Sequence, residues 1–224
     1  PGVIARLTRH DADRFDRFCD HLIVVDASGA RERVVGAYRL LRQDAARRHG
    51  GFYTQDEFRI DALIARHPTL RFLELGRSCV LKPYRDKRTV ELLWQGVWAY
   101  VRHHRIDAMF GCASFHGCDP AKLALPLSFL SQHARADEAW RVPAQQERAI
   151  AMNMLPADAV DMRMAMRTMP ALIKGYLRIG AWFGDHAVID RAFNTTDVLV
   201  ILPVSRIDPR YLDYFGGEAG RFAA

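Results

Sequence analysis

Short apolar runs separated by turn-forming residues mark the strands that this sequence predicts. β-Branched and other apolar residues dominate positions 22–25 and 34–41, and positions 26–30 between them contain Asp, Ser and Gly. This spacing predicts two antiparallel strands joined by a short loop. Further apolar runs predict strands at 72–81, 108–115 and 197–203.

Helical spacing of apolar residues alternates with these runs. An amphipathic helix is predicted at 89–104, because apolar residues recur there at intervals of three and four: Val90, Leu93, Trp94, Val97 and Val101. Further helical segments are predicted at 52–64, from Asp119 onward and at 168–182, whereas 134–169 has no regular pattern. Alternating strands and helices predict an α/β fold, a central mixed β-sheet flanked by helices, in one domain over residues 1–224.

Composition excludes several classes of protein. Half of the 224 residues are hydrophobic, which is typical of a globular protein, and no apolar run reaches the ~20 residues of a membrane-spanning helix. The four cysteines form no CxxC pair, and no His/Cys cluster has zinc-ligand spacing. We therefore predict no metal site and reduced thiols in a cytosolic protein. Because the chain begins with Pro1 and not Met, we expect further residues upstream.

Positive charge is concentrated in two places, and the formal net charge is +6. One group of arginines lies at 31–48, and Lys82, Arg85, Lys87 and Arg88 form a second. Such clusters attract nucleic acid, anionic lipid or an acidic carrier protein. Nucleic acid is disfavoured, because the sequence has no helix-turn-helix, zinc-finger or aromatic RNA-binding motif. A solvated basic surface is the alternative.

The predicted strand at 72–81 carries residue types that amide formation requires, which are a base and donors for a developing oxyanion. Glu74 is the candidate base, if partial burial raises its pKa. Strict alternation places Glu74, Gly76 and Ser78 on one face of the strand. The backbone N–H groups of Cys79 and Val80 are candidate oxyanion donors if the strand splays or bulges there.

The basic turn after this strand is a candidate site for the phosphate of an acyl donor. Arg85, Lys87, Arg88 and Thr89 lead into a helix N-terminus, where free amides and the helix dipole favour phosphate. Alternatively, Glu74 forms a structural pair with Arg77, and the turn is only solvated. Both interpretations stay open on these residues alone.

The order of strand, basic turn and helix resembles motif A of the GNAT acyltransferases. Over nearly the whole chain, the sequence resembles their ornithine-lipid branch, the L-ornithine Nα-acyltransferases, which transfer a 3-hydroxyacyl chain from acyl carrier protein to L-ornithine. The resemblance lies in blocks at 35–41, 51–53, 57–58, 73–80, 110–115, 175–181 and 193–199. It implies a GNAT-like fold, no permanently bound cofactor, and the acyl-phosphopantetheine of acyl carrier protein as donor.

One departure from the GNAT pattern concerns the donor. The usual pyrophosphate turn is rich in glycine, but positions 85–90 contain none. Glycines let backbone amides wrap a coenzyme A pyrophosphate closely. Cationic side chains in their place favour the single phosphodiester of phosphopantetheine, and the same patch can dock an acidic carrier protein.

The resemblance also implies where the acceptor binds. Because ornithine carries a second ammonium group, we expect acidic and polar residues around it, largely in the part of the chain beyond about residue 134, which should also hold the acyl chain. Helix capping or turn formation is the alternative for most of them. The candidates are Glu57, Arg77, Asp185, Asn194, Thr195 and Asp197, with Asp56, Asp61 and Asp190 as further acidic residues.

The lipid product implies a cytoplasmic enzyme that can make a peripheral contact with the inner face of the membrane. Residues 170–183 combine Lys, Arg, Tyr and Trp with apolar residues, which is typical of an interfacial helix and equally of a core helix. Two other functions stay open. One is carrier-dependent acylation of another amino acid or formation of a homoserine-lactone signal, and the other is a non-catalytic carrier- or lipid-binding module.

Overall fold

The computed structural model describes residues 12–216. Its strands bear out the sequence prediction for every run named above and add two more, at positions 149–151 and 182–190. They are β1 (Asp20–Asp26), β2 (Arg33–Arg42), β3 (Phe72–Val80), β4 (Ala108–His116), β5 (Ala149–Ala151), β6 (Trp182–Asp190) and β7 (Thr195–Pro203).

Helices connect and cover these strands, together with short 3-10 turns such as Tyr53–Asp56 and Lys82–Tyr84. The helix predicted at 89–104 is confirmed and begins two residues earlier. The α-helices are α1 (Gln43–Arg48), α2 (Ile60–Arg66), α3 (Lys87–His103), α4 (Pro120–His133), α5 (Met162–Thr168), α6 (Ala171–Arg178) and α7 (Pro209–Gly216).

All seven strands form one mixed sheet in the order β1-β2-β3-β4-β7-β6-β5. The β3–β4 pair is parallel, and every other neighbouring pair is antiparallel. The long helix α3 connects the two parallel strands, as a parallel crossover requires. This architecture confirms the predicted α/β fold with a central mixed sheet.

The sheet has one apolar core on each face. On the face covered by α3, here called the α3 face, Leu73 and Leu75 of β3 pack in one cluster with Leu93 and Val97 of the helix. On the opposite face, here called the α2 face, Phe72 packs with residues of α1 and α2. Residues of β3 therefore alternate between two buried faces, which explains its long apolar run.

The parallel strands β3 and β4 diverge after a short contact. They pair only at positions 72–74 with 108–110, although β4 pairs with β7 along its whole length. At the fork the strands are in close contact, since a Cβ on Gly111 would lie 2.2 Å from the Leu75 carbonyl oxygen. Beyond this point the sheet opens, and the edges that face the gap leave backbone groups without a strand partner.

A β-bulge in β3 changes which of its side chains share a face, so the predicted facing of Arg77 and Ser78 is wrong. The register between β2 and β3 shifts between Ala37 and Arg39, and Arg77 takes a left-handed conformation with φ 50°. Strict alternation predicts Ser78 on the face of Glu74, but the Ser78 side chain hydrogen-bonds to Tyr38 on the α3 face. Arg77 instead lies with Arg39 on the α2 face, because the bulge inserts one residue.

The segment predicted to be helical at 168–182 is interrupted. Helix α6 ends at Arg178, and Gly180 has φ 89° before β6 begins at Trp182. Ile173 and Tyr176 on α6 are buried in the core, so its apolar side does not form an interfacial surface. Among residues 12–216, no helix combines the length and apolar character needed to cross a membrane.

Candidate active site

A cavity of about 370 Å³ fills the gap between the diverging strands. Its lining includes residues of both faces of the sheet. Residues of the α3 face include Tyr38, Leu75, Ala113, Leu172 and Tyr176, and residues of the α2 face include Arg39, Thr54, Glu74, Cys112, Asp190 and Asp197. The side of the cavity toward the α3 face, here called the apolar mouth, is therefore apolar and phenolic, and the side toward the α2 face, here called the acidic mouth, is acidic.

Glu74 lies at the fork of the sheet and is almost fully buried, with 4% of its surface exposed. One carboxylate oxygen accepts the N–H of Tyr53 (3.0 Å), and the other accepts the N–H of Thr54 (2.6 Å). Burial raises the pKa of Glu74, and the hydrogen bonds from Thr54 and Tyr53 offset only part of that effect. Each oxygen can accept a second hydrogen bond, so Glu74 both anchors the 3-10 turn and can receive a proton.

The two predicted oxyanion donors differ in direction. The Leu81 N–H donates to the Val35 carbonyl of β2 (2.8 Å). Because N–H groups of alternate residues in a strand point to the same side, the Cys79 N–H also points to β2, where Cys79 pairs with Ala37. The Val80 N–H then points to the opposite side, toward the gap. Neither residue lines the cavity, whose β3 residues run from Glu74 to Ser78.

The basic turn lies at the N-terminus of α3. Arg85, Lys87 and Arg88 are exposed, whereas Thr89 is buried. The helix end carries its own anion, because the Asp86 carboxylate accepts the Thr89 N–H (2.8 Å). The sequence pattern predicts free N–H groups at this helix end, but Asp86 already accepts the hydrogen bond of the Thr89 N–H. A phosphate group at this turn would therefore depend on the cationic side chains.

Three carboxylates gather at the acidic mouth. Oxygen atoms of Glu57, Asp190 and Asp197 lie within 4.8 Å of one another, and Glu57 and Asp197 are only 5% and 8% exposed. Burial first, and the Asp197 charge second, raise the pKa of Glu57 to about 7. Burial also raises the pKa of Asp197. The Cys112 thiol donates to Glu57 Oε2 (3.2 Å).

A buried ion-pair network supports the same side of the cavity and was not predicted. Arg39 is 5% exposed, and its guanidinium donates to Asp13 (2.7 Å) and Asp16 (2.9 Å). Arg77 donates to Asp13 as well (3.1 Å). Alternation along β2 indicates an inward Arg39, but its partners are more than twenty residues away in sequence, and no local pattern identifies them.

The remaining predicted acceptor residues divide into two groups. Thr195 and Asp197 line the cavity, and Arg77 lies at its wall. Asp185 is not among the lining residues and forms an ion pair with Arg135. Asn194 has φ 54° in the turn between β6 and β7, where its carbonyl accepts the Gly117 N–H (2.8 Å). The fold thus gathers Glu57, Thr195 and Asp197 and leaves Asp185 apart.

The family model described as Acetyltransferase (GNAT) domain matches residues 3–95, which include β3 and the basic turn. Three curated proteins named L-ornithine N(alpha)-acyltransferase are similar over almost the whole chain. The protein of Rhizobium meliloti is 54% identical, covering 96% of this chain and 74% of its own length. That of Brucella abortus is 54% identical, covering 98% and 79%. That of Rhodobacter capsulatus is 41% identical, covering 95% and 82%.

Among solved structures, this chain is similar to a CoA-dependent acyl-homoserine lactone synthase determined with SAM and isopentyl-CoA. The likeness covers 97% of this chain and 77% of that one, at 13% identity and a TM-score of 0.43. A similarity of this size supports no argument about the present chain.

Proposed function

This chain belongs to the L-ornithine Nα-acyltransferase family, and we propose that it joins a 3-hydroxy fatty acyl group from acyl carrier protein to the α-amino group of L-ornithine. The observation that carries this proposal is the cavity in the splayed sheet, with Glu74 buried at the fork. A cavity with an apolar side and an acidic side can hold a thioester against the first and an amine against the second, so that the reacting atoms meet in a site with little water.

Glu74 is the proposed general base. The α-amine attacks the thioester carbonyl carbon, the C–N bond forms, the C–S bond breaks, and the phosphopantetheine thiol leaves. Glu74 takes the proton that the amine loses, directly or through a water. Its raised pKa supports this role, because a base works best with a pKa near the working pH. The oxyanion donor is proposed to be a backbone N–H group of β3 nearer to Glu74 than Val80, because six strand residues span about 20 Å.

The donor is proposed to enter from the α3 face. Arg85, Lys87 and Arg88 are exposed there and can bind the phosphodiester and the acidic surface of a carrier protein by charge. The absence of glycine in the turn and the cap supplied by Asp86 both disfavour a wrapped pyrophosphate. The apolar mouth, which includes Leu75, Ala113 and Leu172, is the proposed start of the acyl-chain path.

A peripheral contact with the inner face of the cytoplasmic membrane belongs to the same proposal, since the product is a lipid. Helix α6 offers little for it, because its apolar side is buried. Helix α5 exposes Met162 (56%) and Met164 (46%) next to Arg163 and Arg167. Exposed apolar side chains flanked by arginines suit the surface of an anionic bilayer.

A thiol-release assay tests the proposed function. The purified protein is incubated with 3-hydroxyacyl carrier protein of several chain lengths and L-ornithine, and the freed thiol and the amide product are measured. We expect turnover with at least one chain length and much weaker turnover with the same acyl group on coenzyme A. Absence of turnover with every donor contradicts the proposal, and tight carrier binding without transfer identifies a non-catalytic module.

A further inference from the structure

The acidic cluster at the cavity mouth is assembled from three separate elements. Glu57 follows the 3-10 turn at 53–56, Asp190 ends β6, and Asp197 lies in β7. Asp190 uses one oxygen to accept the N–H groups of Ala192 (2.8 Å) and Phe193 (3.1 Å), so that turn fixes its position. Since the chain brings these carboxylates together from distant positions, their proximity is a property of the fold and not of local sequence.

No side-chain ion pair within residues 12–216 includes a carboxylate of this cluster, which consists of Glu57, Asp190 and Asp197. Arg148 is close enough to favour the charged form of Glu57, but its guanidinium donates to the Asp56 carbonyl (2.9 Å). Buried carboxylates in proteins are normally paired, so this cluster is unusual.

Asp197 supplies an independent sign of a missing ligand. It is more than nine-tenths buried, it lines the cavity, and its Oδ1 has no hydrogen-bond partner in the described part of the chain. An unpaired carboxylate oxygen in a buried position costs free energy. Because Asp197 lines the cavity, a hydrogen-bond donor on a bound molecule can pair with its Oδ1.

On the premise of the proposed function, we propose that the carboxylates of Glu57, Asp190 and Asp197 bind the terminal ammonium group of the acceptor amino acid. An ammonium group presents three N–H donors and one positive charge, which matches three converging acceptors that form no side-chain ion pair within residues 12–216. The cluster then selects acceptors that carry a second amine.

A short chain of contacts links the two acidic regions. The Thr54 N–H donates to Glu74 (2.6 Å), and the Thr54 hydroxyl lies 3.7 Å from the Cys112 sulfur. That sulfur lies 3.2 Å from Glu57. Two side chains therefore separate Glu74 from the cluster. The two nitrogens of extended ornithine are five bonds apart, or about 6 Å, so the α-amine can meet Glu74 while the terminal ammonium meets the cluster.

A divalent cation is the competing occupant. Mg²⁺ and Ca²⁺ bind six or more oxygen ligands in open, hydrated sites. Here Glu57 and Asp197 are buried, and the protonated Cys112 thiol contacts Glu57. These features favour an ammonium group over a metal ion.

The experiment compares L-ornithine with L-norvaline, which has the same carbon chain but no terminal amine. The ratio of their kcat/KM values is measured for the wild type, Asp197→Asn and Glu57→Gln, with Asp158→Asn as an exposed acidic control. We expect the ratio to favour ornithine in the wild type and the control. It should fall by roughly 30-fold or more in each cluster variant, because a buried charge loses its partner, through the KM for ornithine.

Norvaline turnover shows whether each variant is folded, and thermal unfolding gives a second check. An unchanged ratio in two folded, active cluster variants overturns the proposal, while ornithine turnover by the wild type still supports the proposed function. Calorimetric titration with MgCl₂ and CaCl₂ tests the competing occupant. Tight metal binding that Asp197→Asn abolishes, together with an unchanged ratio, identifies a cation site instead.

Discussion

Two acidic regions on one cavity differ in how the protein treats a buried carboxylate. Both oxygens of Glu74 accept backbone N–H groups, from Tyr53 and Thr54, so its charge is stabilised before any substrate arrives. At the other region, Glu57 and Asp197 are equally buried but face each other, and Oδ1 of Asp197 has no partner in the part of the chain described. The first arrangement fits a preorganised proton acceptor, and the second fits a binding site that a cation completes.

The unfavourable burial of the second region appears in the raised pKa of Glu57. Burial and the neighbouring charge of Asp197 hold the pKa of Glu57 at about 7. Glu57 is therefore about half ionised near pH 7, and any cation that binds all three carboxylates there must displace its remaining proton. Asp13, by contrast, is paired with Arg39 at 2.7 Å.

The largest expected effect comes from removing Glu74, and it should be the same for both acceptors. Glu74→Gln should lower kcat with ornithine and with norvaline alike, by ~10²–10⁴-fold, because both acceptors lose the base. The side-chain amide of the Gln would also place an N–H donor against the N–H group of Tyr53 or Thr54, which should destabilise the fold. The free energy of unfolding is therefore measured in parallel. If Glu74 is only an anchor, the pH–rate profile keeps its shape, and lost activity follows lost stability.

The next effect concerns stability and follows from the sign of the pKa shift. The folded state holds a Glu57 proton between the ordinary pKa of 4.5 and about 7, so Glu57 in the wild type destabilises the fold as pH rises through this window. Glu57→Gln should therefore be more stable than the wild type at pH 8 by up to ~3 kcal/mol, and nearly equal at pH 4. Urea unfolding at several pH values measures this, and a difference that does not grow with pH contradicts it.

A pH effect on selectivity is expected to be smaller. The groups that face Glu57 are Cys112 on β4, Asp190 on β6, Asp197 on β7, and Tyr53 and Arg148 on the neighbouring turns. As Glu57 loses its proton, the ornithine/norvaline ratio of kcat/KM should rise about tenfold between pH 6 and pH 8. Norvaline corrects for titration of the α-amine. The same rise in Glu57→Gln argues against a role for Glu57.

The smallest effect is expected far from both acidic regions, at the exposed turn. Lys87→Glu combined with Arg88→Glu should lower kcat/KM for acyl carrier protein about 3- to 10-fold, with the loss greatest at low salt. The exposed ion pair of Lys87 with Glu91 (3.3 Å) contributes little to stability, so the fold should persist. Arg102→Glu combined with Arg47→Glu, two exposed positions away from the turn, is the charge-matched control. Unchanged carrier binding in the double variant refutes docking at this turn.

Periodicity predicted the elements whose side chains face one core or alternate between two. Strands β1 to β4 and β7 and helix α3 have such patterns, and their bounds were close. Strand β6 was missed because apolar residues continue from α6 through Gly180 into it, so the change of period is hidden. The mixed sequence at 134–169 forms several short elements held by tertiary contacts, which leave no periodic signal.

The candidate site was predictable only where chemistry is local. Glu74, the basic turn and the first turn of the neighbouring helix lie within twenty residues, so their order is visible in the sequence. The bulge at Arg77 was not, because a left-handed residue that is not glycine has no clear signature. The pairing of Glu57 with Asp197 joins positions 140 residues apart, and only the folded structure shows that Asp197 lines the same cavity as Glu74 while Glu57 lies behind it.

The position of the new amide bond is the most direct test of the two acidic regions and their roles. Ornithine labelled with ¹⁵N at the terminal amine is acylated with 3-hydroxyacyl carrier protein, and the product is fragmented in a mass spectrometer. We expect an α-amide with a free, labelled terminal amine, since Glu74 meets the α-amine while the cluster holds the other end. Acylation of the labelled nitrogen contradicts these roles.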